Sequence, residues 1–195
     1  MRVFALVMFL LTWNPGNCPG ESLHKILFDT ARQLSIDPPA ALNVLAEAES
    51  GVNPLAIHLS SRVKLDAALK LVDVQYSSYT SNGRHHYSVA PGSKAKAEAL
   101  VRWADKHDHI SYDVGLMQIW EGNVRRYGLD PVRLLDPHYN ALIGGEIFRK
   151  CLNRYNGSFW RAVECYHHGS YKGRPTYYSR NVGAAINSLL AKAQR

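Results

Sequence analysis

Nothing in this sequence is long and apolar enough to span a bilayer, which takes ~20 residues. The only sustained apolar run, Val3 to Leu11 in "MRVFALVMFLLTW", is too short for it. There are no internal repeats, no low-complexity tract and no linker, which excludes solenoids and beads on a string. Nine histidines are present, but "RHHY", "HDH" and "CYHHG" lack metal-ligand spacing, so no metal or other cofactor is expected. The basic residues are dispersed and no nucleic-acid motif occurs, so no nucleic-acid partner is expected either. What remains is an ordinary soluble domain of 195 residues, 46% hydrophobic and 20% charged, enough for one core.

The apolar start has one preceding arginine, Arg2, and is followed by "NPGNCPG", small and turn-forming residues. That is the layout of a cleavable signal peptide over residues 1–20, with export to the periplasm and a domain over 21–195. Export permits disulfides. Once Cys18 leaves with the leader, Cys151 and Cys165 are either bridged or two free buried thiols. The formal charge is +7, or +6 without Arg2, which suits an exported protein that meets an acidic polymer or surface.

The patterning is mostly helical. Ser22 caps an apolar stripe through Leu27, Ala31 and Leu34, and Asp37-Pro38 marks a second helix running to about Ser50. Gly51 and Pro54 stop it. Between about 58 and 112 the pattern loosens into an insertion: "SNG" between "VQYSSYT" and "RHHYSVA" predicts a hairpin, and Ser93 opens a helix with Leu100, Trp103 and Ala104 inward. "YDVGLMQIW" reads as a glycine turn entering a helix. Asp136-Pro137, Ser158 and Pro175 open three more helices. The expected fold is therefore mainly α, a compact helical domain carrying an inserted β-hairpin and helix.

Two carboxylates stand close together in "AEAESGVNP". Leu42, Leu45, Ala46 and Glu49 fall at i, i+3, i+4 and i+7, so Glu49 shares the apolar face, whereas Glu47 points the other way towards solvent. An inward acid in the last turn of a helix is desolvated and faces carbonyls of partial negative charge. Both effects favour the neutral form, and a neutral carboxyl near pH 7 can donate a proton to a leaving oxygen. A structural acid hydrogen-bonded to the adjoining loop is the alternative on this pattern alone.

Taken in order, "ESGVNP", "GLMQI", "AVECYHHG" and "YYSRNV" resemble the soluble lytic transglycosylase family, whose goose-type-lysozyme-like domain carries E-S-G-x-N-P, G-L-M-Q-I, A-Y-N-x-G and a late tyrosine. The resemblance runs from roughly 23 to 190, and it implies a lysozyme-like α+β fold. It also implies that Glu49 is the catalytic acid, supported by Ser50 and by Tyr178, which hydrogen-bonds the carboxyl. Gly115, Leu116, Met117, Gln118 and Ile119 would line the sugar site, with Met117 and Gln118 as the contacts, joined by Tyr166 and His167. Departures are Cys165 for alanine, His167 for asparagine, and Trp120 where asparagine is usual. Trp120 either stacks on a sugar or fills core, and core is the expectation. The long segment before "DVGLMQI" is similar to members that serve type IV secretion and conjugation systems.

Glycosidases usually use two carboxylates, and no convincing second one is evident here; Asp113 is expected to cap or brace its turn. The resemblance implies cleavage of the β-1,4 bond between N-acetylmuramic acid and N-acetylglucosamine in peptidoglycan glycan strands, with the sugar's own C6 hydroxyl as nucleophile and a 1,6-anhydro product. A lysozyme-like hydrolase and a noncatalytic murein-binding component are the alternatives.

Overall fold

A computed structural model describes residues 21–193; the expected signal segment and Cys18 lie outside them. Helix α1 (Leu23–Gln33) starts where Ser22 Oγ accepts the Lys25 amide at 3.2 Å. Helix α2 (Ala41–Ser50) follows. It begins three residues later than Asp37-Pro38 suggests, because Pro39 bars Pro38 from the helical region. Ala41 to Ala46 are all buried, so α2 runs through the middle of the molecule. Gly51 closes it in the left-handed conformation, φ 62°.

The middle of the chain is more than a hairpin. Strands β1 (Ile57–Ser61), β2 (Gln75–Ser81), β3 (Arg84–Ala90), β4 (Ile110–Val114) and β5 (Ile119–Trp120) form one antiparallel sheet in the order β2-β3-β1-β4-β5. The hairpin turn is where Asn-Gly placed it, with Asn82 and Gly83 at φ 50° and 70°. Helix α3 (Asp66–Leu71) lies between β1 and β2, and α4 (Lys94–Asp105) between β3 and β4. The latter is capped by Ser93. Alternation splits the sheet: Ile57, Leu59, Tyr87, Val89, Tyr112, Val114 and Ile119 enter the core. The opposite face carries His58 between Ser88 and Asp113, Ser60 between His86 and Ser111, Tyr79 beside His86, and Trp120 beside Asp113.

Beyond the sheet come the short α5 (Glu121–Tyr127), α6 (Pro137–Arg154), α7 (Phe159–His168) and α8 (Tyr177–Ala193). Asp136 caps α6 through the Tyr139 amide at 2.8 Å, as its sequence promises. Helix α8 packs on α2, α1 on α6, and α6 on α7. Cys151 and Cys165 form a disulfide joining α6 to α7. The described residues thus give a mainly α fold with a small antiparallel sheet. Among them, no helix is long and apolar enough to cross a membrane.

Three expectations change. Glu47 is not out in solvent: α8 covers that side of α2, and Ser188 Oγ lies 3.4 Å from its carboxylate. The segment after Gly115 does not enter a helix at once but turns back as β5. Trp120 is 48% exposed rather than core, since it stands on the outer face of the sheet's edge strand.

Candidate active site

Glu49 ends α2 with its side chain 11% exposed. Tyr178, in the first turn of α8, donates its hydroxyl to Glu49 Oε1 at 2.5 Å. Burial pushes the Glu49 carboxyl up to about 8; the Tyr178 bond works against that, and the charge of Asp113 adds to it. At neutral pH Glu49 therefore holds its proton. The periodicity argument and the tertiary environment agree on this residue.

His167 stacks flat on Tyr178, ring centroids 4.0 Å apart and planes 6° from parallel. Its Nδ1 is 3.9 Å from Glu49 Oε1. Burial, then the adjacent His168, lower its pKa to about 4, so near neutrality it is an uncharged plate against Tyr178 and not an ion-pair partner.

Tyr178 is itself set in place by a cluster that sequence reasoning missed. Glu164 on α7 is buried. It accepts the Thr176 amide at 2.8 Å, the Thr176 hydroxyl at 3.1 Å and the Ser179 hydroxyl. Burial alone would raise its pKa, but these hydrogen bonds hold it below the ordinary carboxylate value. A charged Glu164 thereby fixes the first turn of α8. The available signal was an acid inside the apolar run "AVECY".

The Gly115 to Ile119 turn is built from inside. Gly115 has φ 82°, and a Cβ there would come within 2.2 Å of Asn140 Nδ2 and 2.6 Å of the Leu134 carbonyl. Asn140, buried in α6, accepts the Met117 amide and donates to the Val114 and Leu134 carbonyls, each at 2.8 Å. Sequence reasoning missed it too; its only mark was an amide directly before the apolar run Ala141 to Ile143. Ser50 Oγ bonds the Leu116 carbonyl at 2.8 Å and so ties the turn to the end of the Glu49 helix.

That construction revises the expected sugar contacts. Leu116, Met117 and Ile119 have side chains in the core, where they anchor the turn and offer no surface. Met117 packs so closely on Gly144 that a Cβ at 144 would lie 2.6 Å from it. The Gln118 amide is engaged by the Ala56 and Gly115 carbonyls. Tyr166 donates its hydroxyl to the Met117 carbonyl at 2.6 Å, a brace from α7.

Asp113 differs most from expectation. Among the described residues its carboxylate makes no hydrogen bond, so it neither caps nor braces the turn. It stands on the outer face of β4, where burial and then the charge of Glu121 push it up to about 7. Glu49 and Asp113 are thus two carboxyls of raised pKa, and the charge on Asp113 is felt at Glu49. The arrangement places one neutral acid, held by a tyrosine, within electrostatic reach of a second acid on β4.

No curated protein and no solved structure matches the chain. A family model, the transglycosylase SLT domain, matches residues 26–185, which runs from within α1 to within α8 and takes in every site residue above. The chain belongs to the transglycosylase SLT domain family, lytic transglycosylases that act on peptidoglycan.

Proposed function

We propose that this protein cleaves the β-1,4 bond between N-acetylmuramic acid and N-acetylglucosamine and releases a 1,6-anhydro end. The observation that carries the reading is a carboxyl of raised pKa hydrogen-bonded by Tyr178 at the end of α2. With Oε1 accepting from Tyr178, the proton sits on Oε2. Glu49 gives it to the glycosidic oxygen as the C1–O bond breaks, and the muramoyl N-acetyl group shields the positive charge developing at C1. Glu49, now a carboxylate, takes the C6 hydroxyl proton while that oxygen bonds to C1. One proton leaves and one returns, and no water is consumed.

Glu49→Gln keeps the amide isostere but has no proton to give. Purified sacculi treated with this variant should release no soluble muropeptides, while the parent releases products one water lighter than hydrolysis would give. Parent-like clearing by the variant removes Glu49 from the role. Clearing by neither protein favours a noncatalytic murein-binding component.

Hydrolysis is the second reading, favoured by Asp113: a partly ionised carboxylate near Glu49 is what an activated water requires. A reducing, unmodified muramic end in the products selects it.

Residues 1–20 are a cleavable signal, and the domain acts in the periplasm. Its task there is local opening of the wall during assembly of a type IV secretion or conjugation apparatus; the support is the long segment between Glu49 and "DVGLMQI". Cell fractionation with mass measurement of the mature N-terminus tests export. Loss of transfer or secretion on deletion, restored by the parent but not by Glu49→Gln, tests the task.

A further inference from the structure

We propose that the outer face of the five-stranded sheet is a distal glycan platform, holding the saccharide strand beyond the bond at Glu49. This rests on the reading of peptidoglycan as substrate. The sheet continues directly from the site: Asp113 on β4 pairs with Trp120 on one side and with His58 on the other. From β5 to β2 is four strand spacings, ~19 Å, the reach of a short oligosaccharide.

Two large rings are displayed on this face, Trp120 at 48% exposure and Tyr79 at 58%. Both are held from behind. The Trp120 indole donates to Ser111 Oγ at 3.2 Å and lies so flat on Gly122 that a Cβ there would be 2.2 Å from the ring. Tyr79 stacks on His86, centroids 4.7 Å apart and planes 6° from parallel. His86 in turn meets His58 at 3.3 Å. A floppy surface aromatic loses rotamer freedom when a ligand covers it, and a pinned one does not.

The chemistry between the rings suits a neutral polyhydroxylated chain. The positions there are serines and imidazoles, with Arg84 at the rim held by the Ser60 carbonyl at 2.8 Å. Hydroxyls and ring nitrogens serve as both donors and acceptors, matching sugar hydroxyls, while the rings take the C–H faces of pyranoses. Among these strand positions, one arginine and one carboxylate do not make the cationic cluster that peptide-stem carboxylates would select.

The test uses the Glu49→Gln protein as an inert background and peptide-free glycan strands as the probe. Adding Tyr79→Ala or Trp120→Ala should weaken binding about three- to tenfold each. Gly122→Ala, which displaces the indole, should act like Trp120→Ala, and Tyr79→Phe should restore binding. Trp160→Ala removes a comparably exposed indole on α7, 47% exposed and off the sheet, and should change nothing. Background-like affinity for both Tyr79→Ala and Trp120→Ala, or no binding of the background protein to glycan strands, overturns the platform. The enzymatic reading fails separately: if the parent releases no muropeptide while the platform variants still lose affinity, the surface stands and the activity does not.

Discussion

At the residue scale, the behaviour of Glu49 is a contest between three contributions whose signs are known. Burial raises its pKa most, Tyr178 lowers it, and the charge on Asp113 raises it. The donated proton must be present, so activity should fall as pH rises through about 8. Two substitutions should move that alkaline limb in opposite directions. Tyr178→Phe removes the bond that favours the charged form, so the limb should shift upward, with a rate loss of about ten- to a hundredfold from lost orientation. Asp113→Asn removes a charge that disfavours ionisation, so the limb should shift downward. Profiles of kcat/KM between pH 5 and 9.5 would read both, and shifts of one sign would refute the assignment. The inward turn of Glu49 was legible because it needs only the 3.6-residue period of its own helix. Its partners were legible only by resemblance, since Tyr178 is 129 positions away in the chain.

At the scale of elements, the turn from Gly115 to Ile119 is the part that the sequence misrepresents. The resemblance implied a sugar-site lining, yet Leu116, Met117 and Ile119 point into the core. The reason is cooperative: Asn140 takes the Met117 amide, and Ser50 and Tyr166 take the Leu116 and Met117 carbonyls, which lets the side chains around them be apolar. The turn is consequently a rigid shelf between Ser50, Asn140 and Tyr166. Gly115→Ala should be severe, because positive φ and the 2.2 Å approach to Asn140 cannot both be relieved. A loss of about 2–4 kcal/mol in urea unfolding is expected, against no loss at Gly183→Ala, a helical position where space is open. Equal costs at the two glycines would show that the shelf is soft.

At the scale of the whole molecule, one disulfide and one carboxylate cluster lock the C-terminal helices behind the site. Cys151–Cys165 joins α6 to α7 across 14 positions, and Glu164 joins α7 to α8. In the chain-entropy account, closing a loop of that size is worth ~3 kcal/mol. The Cys151→Ala/Cys165→Ala double variant should lose about that much in denaturant unfolding. Under reducing conditions the parent should come down to meet it. A parent indifferent to reductant would place the stabilisation in the packing of α6 on α7 alone.

What the amino-acid order determined by itself is whatever depends on near neighbours. That includes the caps at Ser22, Ser93 and Asp136, the left-handed stop at Gly51, the Asn82-Gly83 hairpin and the inward face of Glu49. Each is a local conformational preference that a few consecutive residues decide. Tertiary structure alone decided that β1, β4 and β5 join the hairpin in one sheet, and that α8 covers Glu47. It also put Trp120 outside and Asp113 within electrostatic reach of Glu49. Those outcomes follow from which surfaces meet across long stretches of chain, where burial and charge depend on partners that no local pattern names.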